Sequence, residues 1–191
     1  MRYSMTYLIN SGGPVALFAE QYFKYYFVDK SMLLDEMINI VESVQIDLHL
    51  LSDPMSFRPP SVSVGGDKYI CITRPRRFGK TVNAQMIAAF FNSSYDSRNL
   101  FRRMRIHEHP LFERHLHRHN VVFIDFASMS ENCGSLAELF HLLRQELIAD
   151  AKELFHVDLS EETSIISLFK RLYNEYGKRF IFVIGEWDLP L

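Results

Sequence analysis

The chain has little cysteine, little net charge and no long apolar run. Its 191 residues include two cysteines, Cys71 and Cys133. They are far apart, with no metal or redox spacing. A formal net charge of −2 gives no global case for nucleic acid or a membrane surface. No apolar run reaches the length of a bilayer span. The opening residues do not read as a charged-then-apolar leader. No internal repeat is visible. This balance suits a reducing cytoplasm. Apolar residues make up 48% of the chain, enough to build the core of one domain.

Residues 69–81 carry the main chemical signal. Tyr69–Ile72 is a short apolar run, and Gly79-Lys80-Thr81 ends the turn after it. Val82, Met86, Ile87, Phe90 and Phe91 then recur at helical spacing. Strand, loop, Gly-Lys-Thr and helix form the phosphate-binding loop of nucleoside triphosphatases. Helix-start N–H groups face phosphate oxygens there. Lys80 would reach the terminal phosphates, and the Thr81 hydroxyl would ligate Mg²⁺. Arg76, Arg77, Phe78, Gly79, Lys80, Thr81 and Val82 form the candidate nucleotide-binding set. The usual first glycine of the loop is lacking, since Arg74 stands there, and Pro75 stiffens the turn.

A second signal lies at 180–188, Phe-Ile-Phe-Val-Ile-Gly-Glu-Trp-Asp. An apolar strand followed by acids is the form of a Walker B segment. Glu186 would polarise the attacking water. The metal-holding Asp is lacking, because Gly185 occupies its place. By strand alternation Glu186 points to the other side and does not replace it. A buried parallel strand with a polar end fits the same pattern.

Three boxes together resemble the AAA-ATPase-like proteins of bacteria and archaea. They are Tyr26-Phe-Val-Asp-Lys-Ser31, Thr73-Arg-Pro-Arg-Arg-Phe-Gly-Lys-Thr81 and Ile184-Gly-Glu-Trp-Asp-Leu-Pro-Leu191. The resemblance covers essentially the whole chain and explains Arg74 as a family feature. It departs at Gly185, where the family has Asp. It implies an α/β fold, a P-loop three-layer sandwich with a parallel sheet. It also implies ATP and Mg²⁺ as ligands, and a role for Asp29-Lys30 near the nucleotide. Many relatives continue into a nuclease-like domain of the PD-(D/E)XK type. The resemblance therefore makes residues 1–191 a fragment of one domain, with 1–67 as lead-in and helix and 68–191 as nucleotide-binding core. A strand later in sequence would fill the centre of an otherwise incomplete sheet.

The remaining elements follow from local signals. Residues 1–30 read as an extended or mixed lead-in rich in aromatics. Ser31 caps a helix to about Val44. Residues 53–67, with three prolines and two glycines, read as a loop. Residues 69–73 form a buried strand, with Cys71 acting as a small hydrophobe. Helix 80–91 and strand 121–126 come next. Ser135 and Glu138 open a helix to about Leu154. A helix over 163–176 ends at Gly177, and strand 180–184 follows.

Five histidines lie at 107, 109, 115, 117 and 119. They read as a solvated surface, with metal binding as the competing reading. Arg98, Arg102, Arg103, Arg105, Arg114 and Arg118 make a local basic stretch. It suits a charged surface, a nucleic-acid contact or an arginine reaching a bound triphosphate. The functional expectation is an ATP-binding protein whose intact relatives hydrolyse ATP, while Gly185 argues against hydrolysis here. The alternatives are a non-hydrolysing nucleotide-binding or interaction module, and a nucleic-acid-associated protein working through residues 98–118.

Overall fold

The computed structural model describes residues 8–50, 69–73, 78–131 and 133–185, with backbone alone over 43–50. The first helix, α1 (Gly12–Tyr22), starts at Ser11, whose Oγ accepts from Gly13 N at 3.2 Å. Pro14 sits in its first turn, where the missing N–H has no helical partner to lose. Next come α2 (Leu33–Leu50) and α3 (Lys80–Phe91). Short turns follow: α4 (Arg98–Phe101), a 3-10 turn (Arg105–Glu108) and α5 (Phe112–His115). They lead into β1 (Asn120–Asp125) and α6 (Phe126–Ser130). Two longer helices, α7 (Leu136–Phe155) and α8 (Ile165–Tyr176), precede β2 (Phe180–Gly185). Ser135 caps α7, accepting from Glu138 N, while the Glu138 carboxylate reaches Gly134 N at 2.7 Å. Ser164 and Ser167 cap α8 reciprocally, and Gly177 closes it at φ 62°.

β1 and β2 pair in parallel, from Asn120 opposite Phe180 to Asp125 opposite Gly185. Their side chains alternate between two cores. Val121 and Val183 pack with Phe18, Phe90, Phe91 and Phe101 from the α1–α4 side. Val122 and Ile124 pack with Leu143, Leu147, Leu168 and Leu172 of α7 and α8. Each fully buried side chain of this size contributes about 1.5–3 kcal/mol. The arrangement is mixed α/β with a parallel pair, as the alternation of strands and helices predicts. The α1 and α2 segments share one core with α3.

The outer edge of β1 is covered by residues 8–10. Ile9 bridges Val122 in antiparallel sense, and Asn10 N donates to Val121 O at 2.7 Å. Asp150 of α7 fastens this segment, accepting from Leu8 N at 2.6 Å and Ile9 N at 2.8 Å.

Three expectations need correction. Residues 69–73 are not a strand: they pair with neither strand, and Cys71 is exposed rather than buried. An apolar run becomes a strand only when a neighbour accepts its ladder bonds, and here Ile72 alone packs on the core. The lead-in, read as extended or mixed, is helical over Gly12–Tyr22, where α1 occupies it. The histidines are only partly solvated: His107 is exposed, His109, His117 and His119 are half-buried and His115 is buried, and no group among the described residues could hold a metal. His115 is 1% exposed and shares Glu42 with Arg114, its Nε2 lying 2.8 Å from Glu42 Oε1. Its ring stacks on His119, with 3.0 Å between Nδ1 and Nε2. Burial, with His115 beside it, pushes His119 down to about 4. These rings are therefore neutral packing elements at neutral pH.

Asp150 is 1% exposed. Burial pushes its carboxyl up to about 6; the two backbone N–H bonds oppose the rise, and Glu146 and Glu153 add to it. The folded chain therefore holds this proton more tightly than the unfolded chain, where the group titrates near 3.8. Its stabilising contribution is complete below about pH 4 and is lost as pH rises through about 6. That separation corresponds to about 3 kcal/mol. Relative to wild type, Asp150→Asn should thus gain about 3 kcal/mol of unfolding free energy between pH 3 and pH 7. Denaturant unfolding at both pH values measures it, and a pH-independent difference would contradict the assignment.

Candidate functional site

The site is built at the start of α3. From Gln85 to Phe91 every residue of this helix is buried, so its axis is fixed by the core. Its first turn emerges from that core: Lys80 and Val82 are half-buried and Thr81 is exposed. Gly79 precedes it at φ 79°, ψ 26°, a left-handed conformation that glycine adopts without strain. Gly79 O accepts the first helical bond from Asn83 N at 3.0 Å. No side chain caps this end, and no acid lies in the first turn. The opening N–H groups and the helix dipole are thus directed at whatever anion meets them.

A second cation comes from far away in sequence. Lys30 Nζ donates to Phe78 O at 2.9 Å, and a Cβ added at Gly79 would meet it at 3.3 Å. The lysine is held from below. Asp29 Oδ1 accepts from Ser31 N and Asp29 Oδ2 from Arg105 N, both at 2.8 Å. Ser31 is fully buried, and its Oγ accepts from Ile106 N at 3.2 Å. Burial raises the Asp29 carboxyl, but the bonds from Ser31 and Arg105 outweigh it and leave it below its ordinary value. Asp29 and Ser31 are fasteners to the 3-10 turn, and Lys30 between them is aimed at the loop. The family resemblance implied a role for this box near the nucleotide but did not separate those roles. Ser31 proves to be a cross-tie rather than the cap expected of it.

Of the candidate set, Phe78 and Gly79 lie just before α3 and Lys80, Thr81 and Val82 in its first turn. Arg76, Arg77 and Glu186 lie outside the described residues. Gly185 ends β2, and among the described residues a Cβ there would meet nothing closer than Ile124 O at 3.9 Å. Directly across the pair stands Asp125, a carboxylate that sequence reasoning passed over. It accepts from Ala127 N at 3.1 Å and Ser128 Oγ at 3.2 Å, capping α6. α3 packs against both strands, which ties this helix to the sheet.

A solvent-open groove of about 330 Å³ adjoins the loop, walled by the end of α1, Tyr26, Phe27, Val28, Lys30, Phe78, Gly79 and the first turns of α3. No helix among the described residues is long and apolar enough to cross a membrane.

A family model described as "Predicted AAA-ATPase" matches residues 63–191, well over half of the chain. The Tyr26–Ser31 box lies before the matched span. No curated protein and no solved structure matches. The family match includes Gly79-Lys80-Thr81 and the strand ending at Gly185, the two segments that carry the chemical argument, and the chain belongs to the AAA-ATPase-like family.

Proposed function

We propose that the chain binds ATP with Mg²⁺ at the start of α3 and turns it over only near background rate. One observation carries this reading: a left-handed Gly79 opens an uncapped, acid-free helix start whose first two residues are Lys80 and Thr81. Lys30 adds positive charge against the same loop. Membership of a predicted ATPase family supports the same chemistry. Helices on both faces of a parallel strand pair fit part of a P-loop sandwich.

Lys80 takes the terminal phosphates, and the first-turn N–H groups of Thr81 and Val82 serve the phosphate oxygens. Thr81 Oγ1 suits Mg²⁺, a hard cation that accepts hydroxyl oxygen and keeps several waters. When bound, Mg²⁺ neutralises charge that develops on the transferring phosphoryl group. Glu186, the residue after β2, takes the water-polarising role. Gly185 contributes no carboxylate, and Asp125 beside it is engaged in capping α6. Loss of that carboxylate should slow turnover far more than it weakens binding.

Lys80→Ala should weaken ATP–Mg²⁺ binding by roughly tenfold or more, since a charge-assisted contact contributes about 1.5–3 kcal/mol. Calorimetry reads the change, and equal affinities would sink the phosphate-loop assignment. Gly185→Asp should raise steady-state phosphate release at saturating ATP and Mg²⁺ while leaving ATP affinity within a few-fold. If the glycine form already releases phosphate as fast as the aspartate form, this position has no metal role.

A further inference from the structure

A chain of rings links the end of α1 to α4. Phe23 meets Tyr22 at 5.1 Å between ring centroids, and Tyr22 meets Phe27 at 5.2 Å. Phe27 meets Phe18 at 6.1 Å, and Phe18 stacks on Phe101 at 5.6 Å. The inner end is anchored, since Phe18 and Phe101 are fully buried. The outer end is open: Phe23, Tyr25 and Tyr26 are 76%, 92% and 88% exposed. Tyr25 and Tyr26 stand edge to face, 4.8 Å apart. Rings gain most from burial, so three held in water side by side mark a contact surface.

Positive charge lies at both ends of this array. Lys24 is exposed between Phe23 and Tyr25. Phe101 leads directly into Arg102 and Arg103, both exposed. Elsewhere in the arginine-rich stretch, Arg98 pairs with Glu113 and Arg114 with Glu42. Arg102 and Arg103 carry no ion pair among the described residues. The Asp29 bond to Arg105 N holds the segment after the tyrosines beside the arginines. Asp29 is the one acid within residues 22–30 and 101–107, and Ser31 N and Arg105 N occupy its carboxylate. Glu20 and Glu108 lie just outside those segments.

We propose that this face binds single-stranded nucleic acid, with bases stacked on Phe23, Tyr25 and Tyr26 and phosphates met by Lys24, Arg102 and Arg103. The inference stands independently of the phosphate site at Lys80. Exposed rings and unpaired cations suit two parts of one polymer: every base has a π face, and every step of the backbone carries a charge. A duplex fits poorly, because its bases already stack on one another and hide those faces. A lipid surface calls for aliphatic chains, and Val28 is the only aliphatic side chain within residues 22–30. With a whole-chain charge of −2, the attraction is local and weakens steeply with salt.

Fluorescence anisotropy with labelled oligo-dT and oligo-U of about 15 nucleotides, and with a duplex of equal length, tests this without added nucleotide. At least one single strand should bind roughly tenfold tighter than the duplex, and the preference between dT and U names the polymer. Replacing both tyrosines, Tyr25→Ala with Tyr26→Ala, should weaken that binding roughly tenfold or more and leave its salt dependence unchanged. Tyr25→Phe with Tyr26→Phe keeps the rings and should bind as the wild type does. Arg102→Ala with Arg103→Ala should lower the slope of log affinity against log salt by about 1.4, since each phosphate neutralised on a single strand contributes about 0.7. All four side chains are exposed, so every variant should keep the wild-type unfolding midpoint. Equal binding of strand and duplex overturns the proposal, as does full affinity without the tyrosine rings or an unchanged slope without the arginines. Absence of binding also overturns it, and binding only to vesicles of phosphatidylserine and phosphatidylcholine would make the face a membrane contact instead.

Discussion

Burial of the second half of α3 is the constraint on which the site depends. Phe90 and Phe91 pack edge-to-face, and Phe90 also meets Phe101 and Phe112. Asn92, just past the helix, donates to Ser11 O at 2.9 Å and so joins α3 to the start of α1. Ser97 Oγ donates to Ala89 O at 2.6 Å from the other side. With one end locked by packing and buried polar ties, the other end projects as a fixed platform. Preorganisation of this kind matters because anion-binding N–H groups have little effect if they must first be arranged. The electrostatics are equally one-sided: two lysines and no first-turn acid meet at Gly79.

The aspartate and serine beside Lys30 extend the platform to the N-terminal third of the chain. Their bonds to the backbone of Arg105 and Ile106 secure a segment that would otherwise be a loose connection between α1 and α2. The groove exists because that segment is held next to α3. A change at Asp29 would therefore act on the site through position rather than through charge at the ligand.

Much of this was legible in the sequence, and the parts that were not share a cause. α3, α7 and α8 were readable because their ends carry local chemistry: Gly79, Ser135 with Glu138, and Gly177. β1 and β2 were readable as apolar runs, and their parallel pairing followed from the helices between them. The strand over 69–73 was misread because its pattern is local and its pairing is not. α1 was hidden by the helix-averse Gly12-Gly13 start, although Ser11 and Pro14 mark it. His115 was misplaced because its partner Glu42 lies 73 residues away. The aim of Lys30 was equally invisible, since its contact with Phe78 spans 48 residues. Burial of polar groups depends on such distant partners, and single-chain periodicity carries no record of them.

The central claim is that the first turn of α3 is the phosphate-binding element. Backbone amide resonances report it directly, because an N–H that donates to a phosphate shifts in proportion to occupancy. Titrating ¹⁵N-labelled protein with ATP and Mg²⁺ should move the amides of Gly79, Lys80, Thr81 and Val82 saturably, while those of α7 and α8 stay in place. Movement confined to the arginine-rich stretch from Arg98 to Arg118, with the Gly79–Val82 amides unchanged, would contradict the account.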